Sequence, residues 1–274
     1  MNMTGIISEA AIKFGELRGA PSIQARNIDA IAAHYSGHRP NPRVVSIGHR
    51  LGNLIYRPLV SMSPEARTSL DEHMADDGVV ILASNHVRWM DPLVIAASLY
   101  HTDELVPVAH NMIIPTKPSL FKVPGLRWAI EGMGSYPTFR EKDVAESGAD
   151  GTPVVSADNK KYLKKAGEYT VATAVNNLVE GGNVAAFVEG TRNKGNPLVV
   201  QETERGAVAM LEAASRAGAN VAMLDFGIYY ANDSSGQPIV SVGGVFKPEG
   251  KNFRQKAEDV REHIQSRVTE AAEL

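Results

Sequence analysis

Apolar positions follow two different periods along the chain, and the change comes near residue 79. Over residues 1–77 the spacing is helical. Ile6, Ile7, Ala10, Ala11, Phe14 and Leu17 recur on one helical face, and 27–34 and 51–60 predict further short helices. Ser63-Pro64-Glu65 opens another, with a capping serine and a proline at the first helical position. Between these segments runs a basic, proline-rich stretch containing His38, Arg39, Arg43, His49, Arg50 and Arg57. From residue 79 the pattern becomes short apolar runs alternating with helical segments. Val79-Val80-Ile81-Leu82-Ala83 is a continuous apolar run, as a strand buried on both faces requires. Residues 105–109, 135–139, 184–188, 221–229 and 239–246 predict further strands. Helices are expected at 92–100, 126–131, 160–180 and 206–217. A last helix over 253–273 places Phe253, Ala257, Val260, Ile264, Val268 and Ala271 on one face. Residues 141–158, rich in Gly, Ser, Ala, Asp and Glu, predict a mobile loop long enough to suggest a function. The alternation predicts an α/β fold, a mixed sheet flanked by helices over 78–274, with a helical N-terminal appendage over 1–77.

Composition narrows the function classes. The 274 residues are 43% hydrophobic and 22% charged, an ordinary globular balance. A net charge of −3 gives no global attraction to nucleic acid. There is no cysteine, which excludes disulfides, thiolate metal sites and a cysteine nucleophile, and suits a reducing cytoplasm. The first 19 residues carry Glu9, Lys13, Glu16 and Arg18 among their apolar positions, unlike a secretory signal. No apolar run approaches the roughly 18 residues that cross a bilayer. A lipid substrate would therefore be met from the membrane surface.

Three segments carry candidate chemistry. In Ser84-Asn85-His86-Val87-Arg88-Trp89-Met90-Asp91-Pro92 the histidine lies just past a buried strand, and Asp91-Pro92 reads as a helix start with Asp91 as cap. A turn here brings the Asp91 carboxylate to the imidazole, where it would hold the ring's tautomer and stabilise the imidazolium. That is the general-base half of a catalytic triad, with the substrate's hydroxyl as nucleophile. The structural alternative is a loop histidine beside an ordinary cap. In Ala186-Phe187-Val188-Glu189-Gly190-Thr191-Arg192-Asn193 a strand runs into a turn. Arg192 offers a planar fork for a phosphate, and Glu189 would orient it or bind an acceptor hydroxyl; the alternative is a polar turn. In Gly134-Ser135-Tyr136-Pro137-Thr138-Phe139-Arg140 a second arginine ends a strand, where a solvated charge is the usual reading.

Together these segments resemble the glycerophospholipid acyltransferase family, which includes the lysophosphatidic acid and glycerol-3-phosphate acyltransferases. The resemblance lies in ordered blocks. One is an Asn-His with an aspartate after four intervening residues (Asn85, His86, Asp91). The next is a glycine with arginine six residues on (Gly134, Arg140). The third is Phe-Pro-Glu-Gly-Thr-Arg, here Phe187 to Arg192. The stretch Leu120 to Ala129 is similar to the family's lead into its second block, and Thr203-Glu204-Arg205-Gly206-Ala207 is similar to the segment after its third. Three departures concern the acceptor: Arg88 stands where the family has serine, Val188 where it has proline, and residues 141–158 lengthen the gap between the second and third blocks.

The resemblance implies a largely parallel sheet and an O-acyltransferase without a cofactor. His86 and Asp91 would be catalytic, and Asn85, Arg88, Arg140, Glu189, Gly190, Thr191 and Arg192 would bind substrate. The donor would be acyl-CoA or acyl carrier protein, and the acceptor a phosphate-bearing lipid in phospholipid biosynthesis. With no spanning run, a lipid substrate predicts a peripheral position on the cytoplasmic membrane face, with reversible, salt-sensitive docking through the basic stretch around Arg39, Arg43, Arg50 and Arg57.

Two rivals have sequence support. A metal-dependent hydrolase could use His34 and His38, four apart, or His86, Asp91 and His110. But Gly37 interrupts the first pair, Pro40 lies close behind it, and no Glu comes after His34 as a zinc protease needs. A non-catalytic lipid-surface module could use the basic stretch 38–57 but would not need His86 and Asp91.

Overall fold

The computed structural model describes residues 20–274 except His110, 148–152 and 232–235. The helical reading of Met1 to Gly19 lies outside the described residues, as do His110 and the centre of the 141–158 segment.

The N-terminal region holds helix α1 (Ile28–Tyr35), helix α2 (Pro42–Tyr56), strand β1 (Leu59–Met62) and helix α3 (Pro64–Ala75). Strand β2 (Val79–Ser84) leads to α4 (Asp91–Ser98), a short α5 (Val106–Ala109), β3 (Ile114–Thr116), α6 (Pro124–Gly132), β4 (Ser135–Pro137) and α7 (Glu141–Val144). A two-stranded ribbon, β5 (Glu146–Ser147) and β6 (Pro153–Val154), is next. Then come α8 (Ala157–Val179), β7 (Val184–Phe187), α9 (Gly206–Arg216), β8 (Val221–Tyr230), β9 (Pro238–Phe246) and α10 (Phe253–Glu273).

The central sheet has the order β1-β9-β8-β2-β7. Every neighbouring pair is parallel except β8 and β9. A parallel bridge from Ile113 to Val184 attaches β3, and β3 pairs in parallel with β4. The expected α/β architecture with a largely parallel mixed sheet is therefore present. Strand β2 shows why its apolar run is unbroken. Val79, Ile81 and Ala83 pack on one face with α1, α8, α9 and α10, while Val80 and Leu82 pack on the other with α3, α4 and α5. Both faces are covered, so all six residues of β2 are buried.

Three local expectations need correction. Residues 51–60 are not one helix. The helix begins at Pro42, where Asn41 Oδ1 accepts from the Arg43 and Val44 amides, so the proline-rich stretch starts a helix rather than a loop. It ends where Arg57 turns left-handed, and Leu59 to Met62 then pair with Ile239 to Val242. The N-terminal region is thus tied to the sheet by a strand. Residues 105–109 are helical, not extended. Pro107 has no N–H for a ladder but is tolerated in a first helical turn. Asp91 is the first residue of α4 rather than its cap, and Met90 stands in the cap position without a side-chain bond. The Ser63 expectation holds, its hydroxyl accepting from the Ala66 amide at 3.1 Å.

Candidate active site

The site forms at the carboxyl ends of β2, β7, β3 and β4, where the parallel strands release their chains together. At the end of β2, Asn85 is 2% exposed. Its side-chain amide donates to the Ile228 carbonyl at 2.9 Å and accepts from the Ile228 amide at 2.8 Å. The side chain thus pairs with β8 as a strand residue's backbone would. Asn85 thereby anchors the loop to β8.

The loop from His86 to Met90 wraps the Asp91 carboxylate, which is fully buried. Oδ2 lies 2.8 Å from His86 Nδ1 and accepts from the Val87 and Arg88 amides at 2.6 and 2.8 Å. Oδ1 accepts from the Tyr230 hydroxyl at 2.5 Å. Four donors therefore fix one carboxylate. The carboxylate in turn fixes His86 with its Nδ1 edge inward, leaving Nε2 on the opposite edge as the proton-accepting atom. The imidazole also stacks on Phe187, with centroids 4.1 Å apart and planes 20° apart. Burial, and then Asp91, raise the Tyr230 phenol above its ordinary value, so it stays a donor. The sequence reading missed Tyr230. A tyrosine closing a long apolar strand carries no local sign of facing a residue 139 positions away.

The third block packs against this loop. Glu189 Oε2 accepts from the His86 amide at 2.7 Å and Oε1 from the Gln201 amide at 2.8 Å. The residue is 4% exposed, and burial raises its carboxyl while these backbone donors pull the other way. Glu189 therefore braces the histidine's own backbone, with both of its oxygens engaged by backbone amides. The Asn193 amide donates to the His86 carbonyl at 2.6 Å, closing the brace. Between them Gly190 has φ +60, and a Cβ there would lie 2.7 Å from Glu204 Cγ. Thr191 and Arg192 project from this turn and are exposed.

The second block joins the third through Arg140. Its Nη1 donates to the Gly190 carbonyl, and its Nε to Asp143 Oδ2 at 3.0 Å. Nη2 makes a longer 3.5 Å bond to Asp143 Oδ1, which leaves two of the five guanidinium N–H groups. Arg140 is thus held beside the Arg192 turn by Gly190 and Asp143. Gly134 is required by geometry: φ is +90, and a Cβ would lie 2.3 Å from the Met112 carbonyl oxygen. Lys142 was also missed. Desolvation first, then Arg140 and Lys117, hold its ammonium below the ordinary value, while Asp143 and Glu204 pull the other way. Arg88 is exposed and lies with its guanidinium 3.9 Å above the Tyr230 ring centroid.

A buried carboxylate orienting a histidine beside a strand-end turn of Glu-Gly-Thr-Arg is an arrangement that a family comparison can test. A model of the Acyltransferase family matches residues 65–243. The chain belongs to that family, the glycerophospholipid acyltransferases. The match runs from α3 into β9 and takes in all three blocks and strands β2, β7 and β8 of the central sheet, while β1 lies before it. No curated protein matches the chain. Among the described residues no three His, Asp or Glu side chains cluster as metal ligands. None of the described helices is long and apolar enough to cross a membrane.

Proposed function

We propose that this acyltransferase moves a fatty acyl group from an acyl thioester, acyl-CoA or acyl carrier protein, to a hydroxyl of a glycerol-phosphate-type acceptor such as lysophosphatidic acid. The step belongs to phospholipid biosynthesis and takes place at the cytoplasmic surface of a membrane. The observation that carries the reading is the His86–Asp91 pair, with Asp91 held by four donors and His86 Nε2 left for substrate.

His86 Nε2 takes the proton of the acceptor hydroxyl, and Asp91 stabilises the imidazolium. The acceptor oxygen attacks the thioester carbonyl carbon, and the tetrahedral intermediate collapses with loss of the C–S bond. The imidazolium returns its proton to the departing sulfur. The reaction balances with no metal, cofactor or covalent enzyme intermediate. The acceptor phosphate meets Thr191 and Arg192 on the exposed turn, with Lys117, Lys142 and the two remaining N–H groups of Arg140 beside them. Arg88, in the place of the family's serine, adds an exposed cation over the Tyr230 ring.

Thiol release, monitored with both donors against a panel of acceptors, tests this reading. Release should depend on an acceptor hydroxyl and be fastest with glycerol-3-phosphate or lysophosphatidic acid. Equal rates with a phosphate-free monoacylglycerol would overturn the acceptor assignment. Release that needs no acceptor would make the protein a thioester hydrolase.

A further inference from the structure

Helix α2 carries an apolar ridge that the described residues leave exposed. Ile47, Leu51, Leu54 and Ile55 are 37%, 51%, 66% and 61% exposed. At 3.6 residues per turn they fall within an arc of about 100° on one side of the helix. The other side is seated. His49 Nδ1 bonds to the Ala96 carbonyl, and a Cβ on Gly52 would lie 2.9 Å from the Leu93 carbonyl oxygen, so α2 crosses α4 at close quarters. The helix Pro42–Tyr56 contains no acidic residue, and Arg50 and, just past its end, Arg57 stand exposed beside the ridge. Four large aliphatic side chains in water on one helix face exceed the scattered exposure of an ordinary surface.

The ridge helix borders the site: Gly52 lies against the Leu93 carbonyl of α4, the helix whose first residue is Asp91. Trp89, 72% exposed, projects from the loop that carries His86. An exposed aromatic side chain suits the boundary between headgroups and acyl chains.

We propose that α2 is the surface by which the protein docks on an anionic bilayer. Ile47, Leu51, Leu54 and Ile55 enter the interfacial layer, Arg50 and Arg57 meet the headgroups, and the His86 loop is held against the membrane. The aliphatic ridge fits an acyl-chain boundary, and acid-free arginine flanks fit a negative surface. The docking residues thus differ from those expected of the basic stretch: Arg39 is drawn away into an ion pair with Glu180. The purpose of docking rests on the acyl-transfer reading, but docking itself is measured without turnover.

The chain contains no cysteine, so Leu54→Cys gives a single attachment point for an environment-sensitive fluorophore on the full-length protein. Vesicles of phosphatidylcholine with phosphatidylglycerol should shift its emission to the blue. Added salt should reverse the shift, and vesicles of phosphatidylcholine alone should give much less. In co-sedimentation without the label, Arg50→Gln and Arg57→Gln should each weaken partitioning about fivefold, from roughly 1 kcal/mol per basic residue. Leu51→Asp should abolish it while leaving turnover of a soluble short-chain acceptor unchanged. Emission indifferent to anionic vesicles would overturn the proposal. So would emission already blue-shifted without vesicles: growth with protein concentration would assign the ridge to a second copy, and independence of concentration to another segment of the chain. A protein that docks but releases no thiol would refute the acyltransferase reading and leave the docking surface standing.

Discussion

Asp91 and Asp225 are both buried, at 0% and 2% exposure, and both serve the same sheet, yet they are held in opposite ways. Asp91 sits in a loop whose amides point at it, and four hydrogen bonds reach its two oxygens. Asp225 lies within β8 at an irregularity of the β8–β9 pairing, between Leu224 and Phe226. Arg267 Nε is 3.3 Å and His263 Nδ1 3.9 Å from Oδ2, but among the described residues no hydrogen bond reaches Oδ1. Gly243 opposite it has room for no Cβ, which would fall 2.0 Å from Oδ1. Burial pushes the Asp225 carboxyl up to about 7 against the pull of Arg267. Burial sets how much a carboxylate needs, and the supply of donors decides whether the need is met. The loop that supplies Asp91 is the one that carries the histidine.

The contrast is sharpest in turnover. His86→Ala should lower kcat by roughly 10²–10⁴, as for loss of a general base, while Asp225→Asn should leave kcat near wild type. His86→Ala removes one of the four Asp91 bonds and the stack on Phe187, so its stability should fall by about 1 kcal/mol with the fold retained; a folded, fully active variant would remove the mechanism. Asp91→Ala strands the Val87 and Arg88 amides and the Tyr230 hydroxyl. Urea titration should show a loss of about 3 kcal/mol beside the loss of activity. Stability close to wild type would mean that water replaces those bonds and that the loop does not depend on the carboxylate.

Asp225 gives the opposite sign. Its folded value lies near 7, above the ordinary 3.8, so across that window the folded chain keeps a proton that the unfolded chain releases. Its contribution is therefore greatest at low pH and is lost as pH rises towards 7. Asp225→Asn cannot ionise and lacks that component. At pH 8 it should exceed wild type by about 2 kcal/mol, less than the full linkage because Arg267 loses its partner. At pH 4 the two should nearly coincide. Melting curves across pH decide this, and a variant less stable at pH 8 would show that the Arg267 pairing outweighs burial. The smallest effect is expected from Tyr230→Phe, which removes one of the four Asp91 bonds. Stability should fall by about 1 kcal/mol and kcat about fivefold. An unchanged kcat would place the orienting work on the backbone amides alone.

Local order was legible in the sequence wherever one segment contains its own cause. The unbroken apolar run of β2 records burial on both faces, the α10 stripe records a single packed face, and Ser63-Pro64 records a cap. The ordered blocks around His86, Gly134 and Glu189 marked the site, because a strand end, a turn glycine and a short polar cluster are local features. The tertiary structure decided which of those polar groups are engaged by distant backbone. Asn85 is taken by Ile228 across 143 positions, Glu189 by His86 across 103, and Arg140 by Gly190 across 50. It also decided that 42–56 is a helix with an exposed ridge, and that Tyr230 completes the hold on Asp91. Periodicity and capping act within a few residues and leave their mark on the sequence. A hydrogen bond between strand ends depends on the register of strands far apart in the chain, which no single segment records.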